Sequence, residues 1–226
     1  MIFIYVKRTC YFMKTYISLA GFDTSQILSL VVKYGLEEGD KIILIRPEDE
    51  KDERSASTVQ AVKDLAKQID RSINIDVHRV NHRNFDSMLL SLIELIKNTP
   101  GQIIANISGG PREIFLAYTI ACLSQSHKIT TATNFSDIDR TMNEINLVNI
   151  IYRLDKKEKN ILEEICQENF LTINQLASNL QISESTASRH VSKLEKRGAL
   201  KVKQKGKIKE VKITLTGKIL LNNPVE

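Results

Sequence analysis

The stretch NISGGPREIF, Asn106–Phe115, puts a hydroxyl, two adjacent glycines and a cation within the five residues Ser108–Arg112. Such a run can cradle a phosphate. Glycines let the backbone approach closely, amides at a helix start point at the anion, and an arginine adds charge-assisted hydrogen bonds. The same run also suits a plain strand-to-helix turn, because Pro111 fits a first helical turn and Glu113 complements the positive helix end. The Lys-Ser/Thr ending of a P-loop and the G-x-G-x-x-G pattern are both missing, which argues against an NAD-dependent enzyme. A second loop shifts the balance. AGFDTS, Ala20–Ser25, carries Gly21, Phe22 and Asp23 and follows the first strand as Ser108-Gly109-Gly110 follows the fourth. In a doubly wound sheet these two strands are neighbours where the strand order reverses, and ligands gather there beyond the carboxyl ends. The two loops then face one crevice, with Ser108, backbone amides and Arg112 for phosphate and Asp23 or Asn106 for ribose or base groups.

The elements that must position these residues alternate. Short Ile- and Val-rich runs at 15–21, 41–47, 74–80 and 102–108 read as strands, and 128–135 and 144–151 add two more. Between them lie helical periods such as Val59-Val62-Leu65-Ala66-Ile69 and Met88-Leu89-Leu92-Ile93-Ile96. This alternation predicts right-handed βαβ crossovers and an α/β, doubly wound, mostly parallel sheet. The helix after Pro111 is apolar nearly all round, so it is expected to be covered on more than one side. Residues 134–146 are polar and read as the loop between the last two strands, with a lid over the ligand as the alternative.

A second kind of chemistry occupies the last third. Asp155 with Glu158 and Thr172 with Gln175 have the spacing of capping boxes, each opening a short helix. QIS then makes a turn, Ser183 caps a third helix that ends at Gly198, and two strands flank Gly206. Leu176, Ala177, Leu180, Ile182, Val191 and Leu194 fit the core positions of a winged helix-turn-helix DNA-binding domain, which this segment resembles. Ala177 marks the close crossing of two helices. Gln181 stands where many such domains have glycine, a substitution costing ~1 kcal/mol in a left-handed turn. The third helix offers Ser183, Ser185, Thr186, Ser188, Arg189 and Lys193 to base edges and phosphates, with Arg189 as the candidate for guanine. Lys201, Lys203, Lys205, Lys207 and Lys209 recur every second residue and form a cationic row beside the groove.

Charge separates the two halves. Residues 154–226 hold fourteen Lys and Arg against nine Asp and Glu, so the net +5 of the 226-residue chain belongs there and the remainder is neutral. A first domain over 13–153 without basic excess, joined to a basic one over 154–226, fits a sensor or enzyme attached to a polyanion binder. Cys10, Cys122 and Cys166 are odd in number and far apart, which points to a reducing cytoplasm. No apolar run reaches the roughly 18–20 residues that span a bilayer, so no membrane is expected. His78 and His82 lie four apart on a strand or loop, which builds no ligand cluster, and neither metal nor cofactor is expected. Met13 reads as a natural start, with the first twelve residues as an upstream extension.

From Met13 onward, ISLAGFDTS, NISGGPRE and the helix-turn-helix together resemble the CRISPR-associated Rossmann-fold (CARF) regulators with a C-terminal winged helix. The resemblance implies a homodimer whose paired CARF domains bind a cyclic oligoadenylate, the tetra-adenylate first among them, across the two-fold axis. It implies winged helices on double-stranded promoter DNA of CRISPR genes. By position, Gly21, Phe22 and Asp23 line the ligand, and Ser108, Gly109, Gly110 and Arg112 hold phosphate. The family commonly has an acid before its Ser/Thr-Gly-Gly, where this chain has Asn106. Two alternatives stay open: a CARF ring nuclease using Ser108 and Arg112 for orientation and charge stabilisation, and a regulator sensing another anionic metabolite.

Overall fold

A computed structural model describes residues 13–21, 24–49, 53–69, 73–147, 152–168, 170–205 and 208–222. Its contacts divide the chain into two compact units, Met1–Ile145 and Asn146–Glu226.

The first unit runs β1 (Lys14–Leu19), α1 (Ser25–Tyr34), β2 (Lys41–Pro47), α2 (Glu53–Ile69), β3 (Asn74–Val80), α3 (Phe85–Asn98), β4 (Gln102–Asn106), α4 (Arg112–Ser124), β5 (Ile129–Phe135) and β6 (Met142–Ile145). The strands form one sheet in the order β3-β2-β1-β4-β5-β6. All pairs are parallel except β5 with β6, which is antiparallel. The central strands are buried almost end to end, which explains their unbroken Ile and Leu runs. Tyr16, Ile42, Leu44 and Ile104 share one face and pack against Ile27 and Leu30 of α1 and Val59, Val62 and Ala66 of α2. Right-handed crossovers then put α3 and α4 on the opposite face, packed against each other. As expected from the sequence, β1 and β4 are neighbours at the point where the order reverses. Of the strand expected over 144–151, residues 144–145 are strand and 148–151 lie outside the described residues. β6 lies at 142–145 and doubles back on β5, so 136–141 is a hairpin connection.

The second unit contains α5 (Lys156–Gln167), β7 (Leu171–Thr172), α6 (Ile173–Asn179), α7 (Glu184–Lys196), β8 (Leu200–Lys205), β9 (Ile208–Ile213) and α8 (Leu215–Leu221). The sheet order is β7-β9-β8, all antiparallel. Both capping boxes form, on Asp155–Glu158 and Thr172–Gln175, and Ser183 accepts from Thr186 N–H at the head of α7. Gln181 takes the left-handed conformation anticipated for it, with φ of 54°. Tyr152 and Leu154 pack into this unit's core, so Tyr152, grouped by the sequence reading with the first domain, packs with the second.

Ala177 is buried where α6 meets α7, and its carbonyl accepts from Ile182 N–H across the turn. Ala177→Leu has no space to enter and is expected to cost about 1–3 kcal/mol, read as a lowered denaturant midpoint.

Candidate functional sites

The crevice at the strand-order reversal is built on a buried polar network. Ser18, Asn106 and Thr133 sit side by side across β1, β4 and β5, each in register with the next. Hydrophobic residues would ordinarily fill such positions, so each polar atom needs a partner. The Asn106 amide donates to Ser18 Oγ at 3.0 Å and to Gln26 Oε1 of α1 at 3.3 Å. Its carbonyl oxygen accepts from Ser108 Oγ at 2.9 Å and from Thr133 Oγ1 at 3.4 Å. Gln26 Nε2 donates to the Leu19 carbonyl at 3.0 Å, and Ser108 Oγ accepts from Phe135 N–H at 2.5 Å.

Over this network the two loops touch. A Cβ on Gly21 would lie 3.0 Å from Gly110 N, so the backbones meet with no room for a side chain. Gly109 and Gly110 both have positive φ, 68° and 75°, and a Cβ on either would strike Gln26 or Leu19 inside 3 Å. Thr58 Oγ1 of α2 fixes the other loop by donating to the Gly21 carbonyl at 2.7 Å. Pro111 is the N-cap of α4, one position before the helical turn expected for it. Arg112 then projects from the helix head into solvent, without a partner among the described residues.

The sequence-predicted residues therefore divide. Gly109, Gly110 and Arg112 present backbone and charge at the surface. Ser108 and Asn106, expected to reach the ligand with their side chains, are buried and spend their polar atoms on the scaffold. Gly21 is buried beneath Gly110. Phe22 and Asp23 lie outside the described residues. His78 is half buried and turns Nε2 to Ser91 Oγ at 2.9 Å, and burial lowers its pKa.

The second surface is α7 with the β8–β9 hairpin. Ala187, Val191 and Leu194 face the core, leaving Ser185, Arg189 and Ser192 exposed and Ser188 half exposed on the outer side. Arg189 has no partner among the described residues. Ser192 escaped the sequence reading, although its spacing of three from Arg189 puts it on the same face. Ser183 and Thr186 are partly spent on capping, with their hydroxyls 2.8 Å apart. Lys203 is exposed on a face it shares with Lys201 and Lys212, opposite Glu210. Lys209 pairs in register with Gln204 and so lies on the other face, breaking the single row expected of the lysines. Lys207 and the Lys205 side chain lie outside what the structure describes.

Lys193, expected on DNA, has an internal partner. Its ammonium lies 2.7 Å from Glu158 Oε1 and 3.8 Å from Asp155 Oδ2. Glu158 is 1% exposed and also accepts from Tyr152 Oη and Asp155 N–H. Arg197 stacks over the Tyr152 ring, 3.7 Å from its centroid. Asp155, Glu158 and His190 bring possible ligand atoms within 4.8 Å of one another, but the Lys193 ammonium already pairs with both carboxylates.

These two sites lie in segments with distinct matches. Residues 14–138, more than half of the chain, match the Csa3 CRISPR-associated Rossmann-like domain. The chain belongs to that family. Residues 154–201 match a winged helix-turn-helix DNA-binding domain, so this Csa3-family chain joins a CRISPR-associated Rossmann-like domain to a DNA-binding one. No curated protein matches it. Among solved structures, a MarR family protein from Bacillus stearothermophilus is 17% identical, covering 31% of this chain and 51% of that one, with a TM-score of 0.30. The regulator BldR from Sulfolobus solfataricus is 27% identical over 30% of this chain and 50% of its own, at 0.28. Csm6 of Enterococcus italicus, solved with cyclic hexa-2'-fluoro-hexa-dAMP, is 14% identical over 81% and 49%, at 0.47. The chain spans about half the length of the solved MarR proteins and of BldR. Among the described residues no helix is long and apolar enough to cross a membrane.

Two predictions follow from this geometry. Ser108→Ala leaves Phe135 N–H without its acceptor and removes a donor to Asn106. It is expected to cost about 1–3 kcal/mol of stability, seen in urea unfolding with no ligand present. For Glu158, burial pulls the carboxyl upward, but bonds from Lys193, Tyr152 and the Asp155 N–H outweigh it and hold the group below its usual value. Its contribution to stability is therefore full above the unfolded carboxyl pKa near ~4.3 and is lost as pH falls through the lower folded value. Glu158→Gln should lower Tm at pH 7 and flatten the acid limb of a Tm-against-pH curve.

Proposed function

We propose that this protein is a ligand-responsive regulator whose crevice takes a cyclic oligoadenylate and whose α7 reads promoter DNA of CRISPR genes. The observation that carries the reading is Arg112 at the head of α4, exposed and without a partner among the described residues, above a glycine turn with the Ser108 hydroxyl and Asn106 amide sealed beneath it. Such a site offers an anion backbone amides, a helix N-terminus and one cation. Phe115, Leu116 and Ile120 continue from Arg112 at helical spacing along the outer side of α4, and are 36%, 53% and 36% exposed. An isologous dimer through this stripe buries it and brings two copies of Arg112 together, matching a ligand with its own two-fold axis. The buried, doubly bonded Ser108 hydroxyl is withdrawn from ring cleavage, which favours sensing over a nuclease.

Binding of ligand changes DNA affinity only through unequal affinity for two conformations. The test is equilibrium binding of labelled cyclic tetra-adenylate, followed by operator binding with and without it. Arg112→Ala is expected to weaken ligand binding about 10- to 100-fold with the label recovered intact. Arg189→Ala should weaken DNA binding and leave ligand affinity unchanged. Recovery of opened label would assign a nuclease, and no ligand binding by the native protein would remove the effector while leaving a DNA-binding regulator.

A further inference from the structure

The β5–β6 hairpin brings a cation to the mouth of the glycine crevice that no sequence motif announces. The hairpin starts fastened to the site. Phe135 N–H donates to Ser108 Oγ at 2.5 Å, and the Asn134 amide donates to the Ile107 carbonyl at 3.1 Å. The turn itself is closed by Ser136 N–H donating to the Thr141 carbonyl at 2.9 Å and Arg140 N–H to the Ser136 carbonyl at 3.0 Å. Arg140 stands in this turn with φ of 58°, its guanidinium 5.3 Å from the centre of the Phe135 ring. Its Nη2 donates to Ser25 Oγ at 2.9 Å. Ser25 is the first residue of α1, and the next residue, Gln26, is the side chain packed under Gly109. Contacts thus run from Ser108 through Phe135, Arg140, Ser25 and Gln26 back to the glycine turn, a closed circuit around the mouth. The far end of the hairpin is anchored on α1, where Tyr34 Oη donates to Glu144 Oε1 at 2.8 Å and Lys33 lies 3.4 Å from the same oxygen.

We infer that Arg140 is a second phosphate-binding cation of this site, an inference that rests on the crevice taking a phosphodiester ligand. Arg112 comes from the head of α4 on one face of the sheet and Arg140 reaches the head of α1 on the other, so the two cations flank the glycine turn. A guanidinium fork suits phosphate oxygens in a way that a point charge does not. The bonds to Ser25 and the Phe135 ring order the side chain before ligand arrives, which lowers the cost of binding. A cation at the positive pole of a helix gains nothing from the macrodipole, whereas an anion placed between them gains from both.

The experiment is equilibrium binding of labelled cyclic tetra-adenylate to the full chain and to Arg140→Ala, Arg140→Gln and Arg140→Lys, with thermal melts of each. Arg140→Ala and Arg140→Gln are expected to bind about 10- to 100-fold more weakly, and Arg140→Lys to retain part of the loss, at melting temperatures close to the native protein. Gln keeps a donor for Ser25 without the charge, so it carries the test if the Ala variant does not fold. Native-like binding by the Gln variant would reduce Arg140 to a turn residue and leave the crevice assignment standing. Absence of binding by the native protein, with operator binding intact, would overturn the crevice reading and this inference with it.

Discussion

The buried Asn106 amide is the constraint on which the first unit depends. Three strands and a helix converge at it, and a polar group sealed there is tolerated only when every atom finds a partner. Meeting that demand fixes several things at once. Ser18 ties β1 to β4, Thr133 and Ser108 tie in β5, and Gln26 draws the head of α1 over the sheet. The glycines then occupy what space is left, because a Cβ at 109 or 110 would strike Gln26 or Leu19. The exposed glycine turn is shaped from below, by a network that is itself buried.

In the second unit a single buried carboxylate plays a comparable part. Glu158 closes the capping box of α5, accepts from Tyr152 and takes the Lys193 ammonium from α7. The recognition helix is thereby joined to the start of α5 and to the segment that leads into it. What this removes from the DNA surface, one lysine, is replaced by the outward side of α7, where Ser185, Arg189 and Ser192 remain open. The charge left exposed on the outer side of α7 and the charge that holds the helix are thus on different residues of the same element.

Much of this was legible in the residues, and the division follows range. Capping boxes, the left-handed Gln181, the Ser183 cap and the adjacency of β1 and β4 depend on local spacing or on general rules of chain topology, and the sequence reading had them. Burial of Ser108 depends on β5 delivering Phe135 N–H to it, and the Glu158–Lys193 pair on α7 returning to α5. Both contacts join distant parts of the chain, and side-chain type alone names a serine beside two glycines as a ligand contact. Arg140 was hidden differently. Its own segment carries no motif, and its placement comes from β6 turning back antiparallel and meeting α1, where the sequence reading began the strand only at 144.

The rigidity of the Asn106 network bears on how such a site can signal. An effector shifts an equilibrium only by contacting two conformations unequally. Groups locked by several buried bonds are the costliest to rearrange, so under the proposed function the glycine turn would hold a ligand without reporting it. The difference has to come from groups the network leaves outside: Arg112, the apolar outer side of α4 and the β5–β6 hairpin, which reaches α1 through exposed bonds from Arg140, Tyr34 and Lys33. Exposed polar contacts of this kind contribute little to stability, so rearranging them costs little. On the proposed reading, a stiff floor and an adjustable rim would together make a site that binds in one place and changes shape in another.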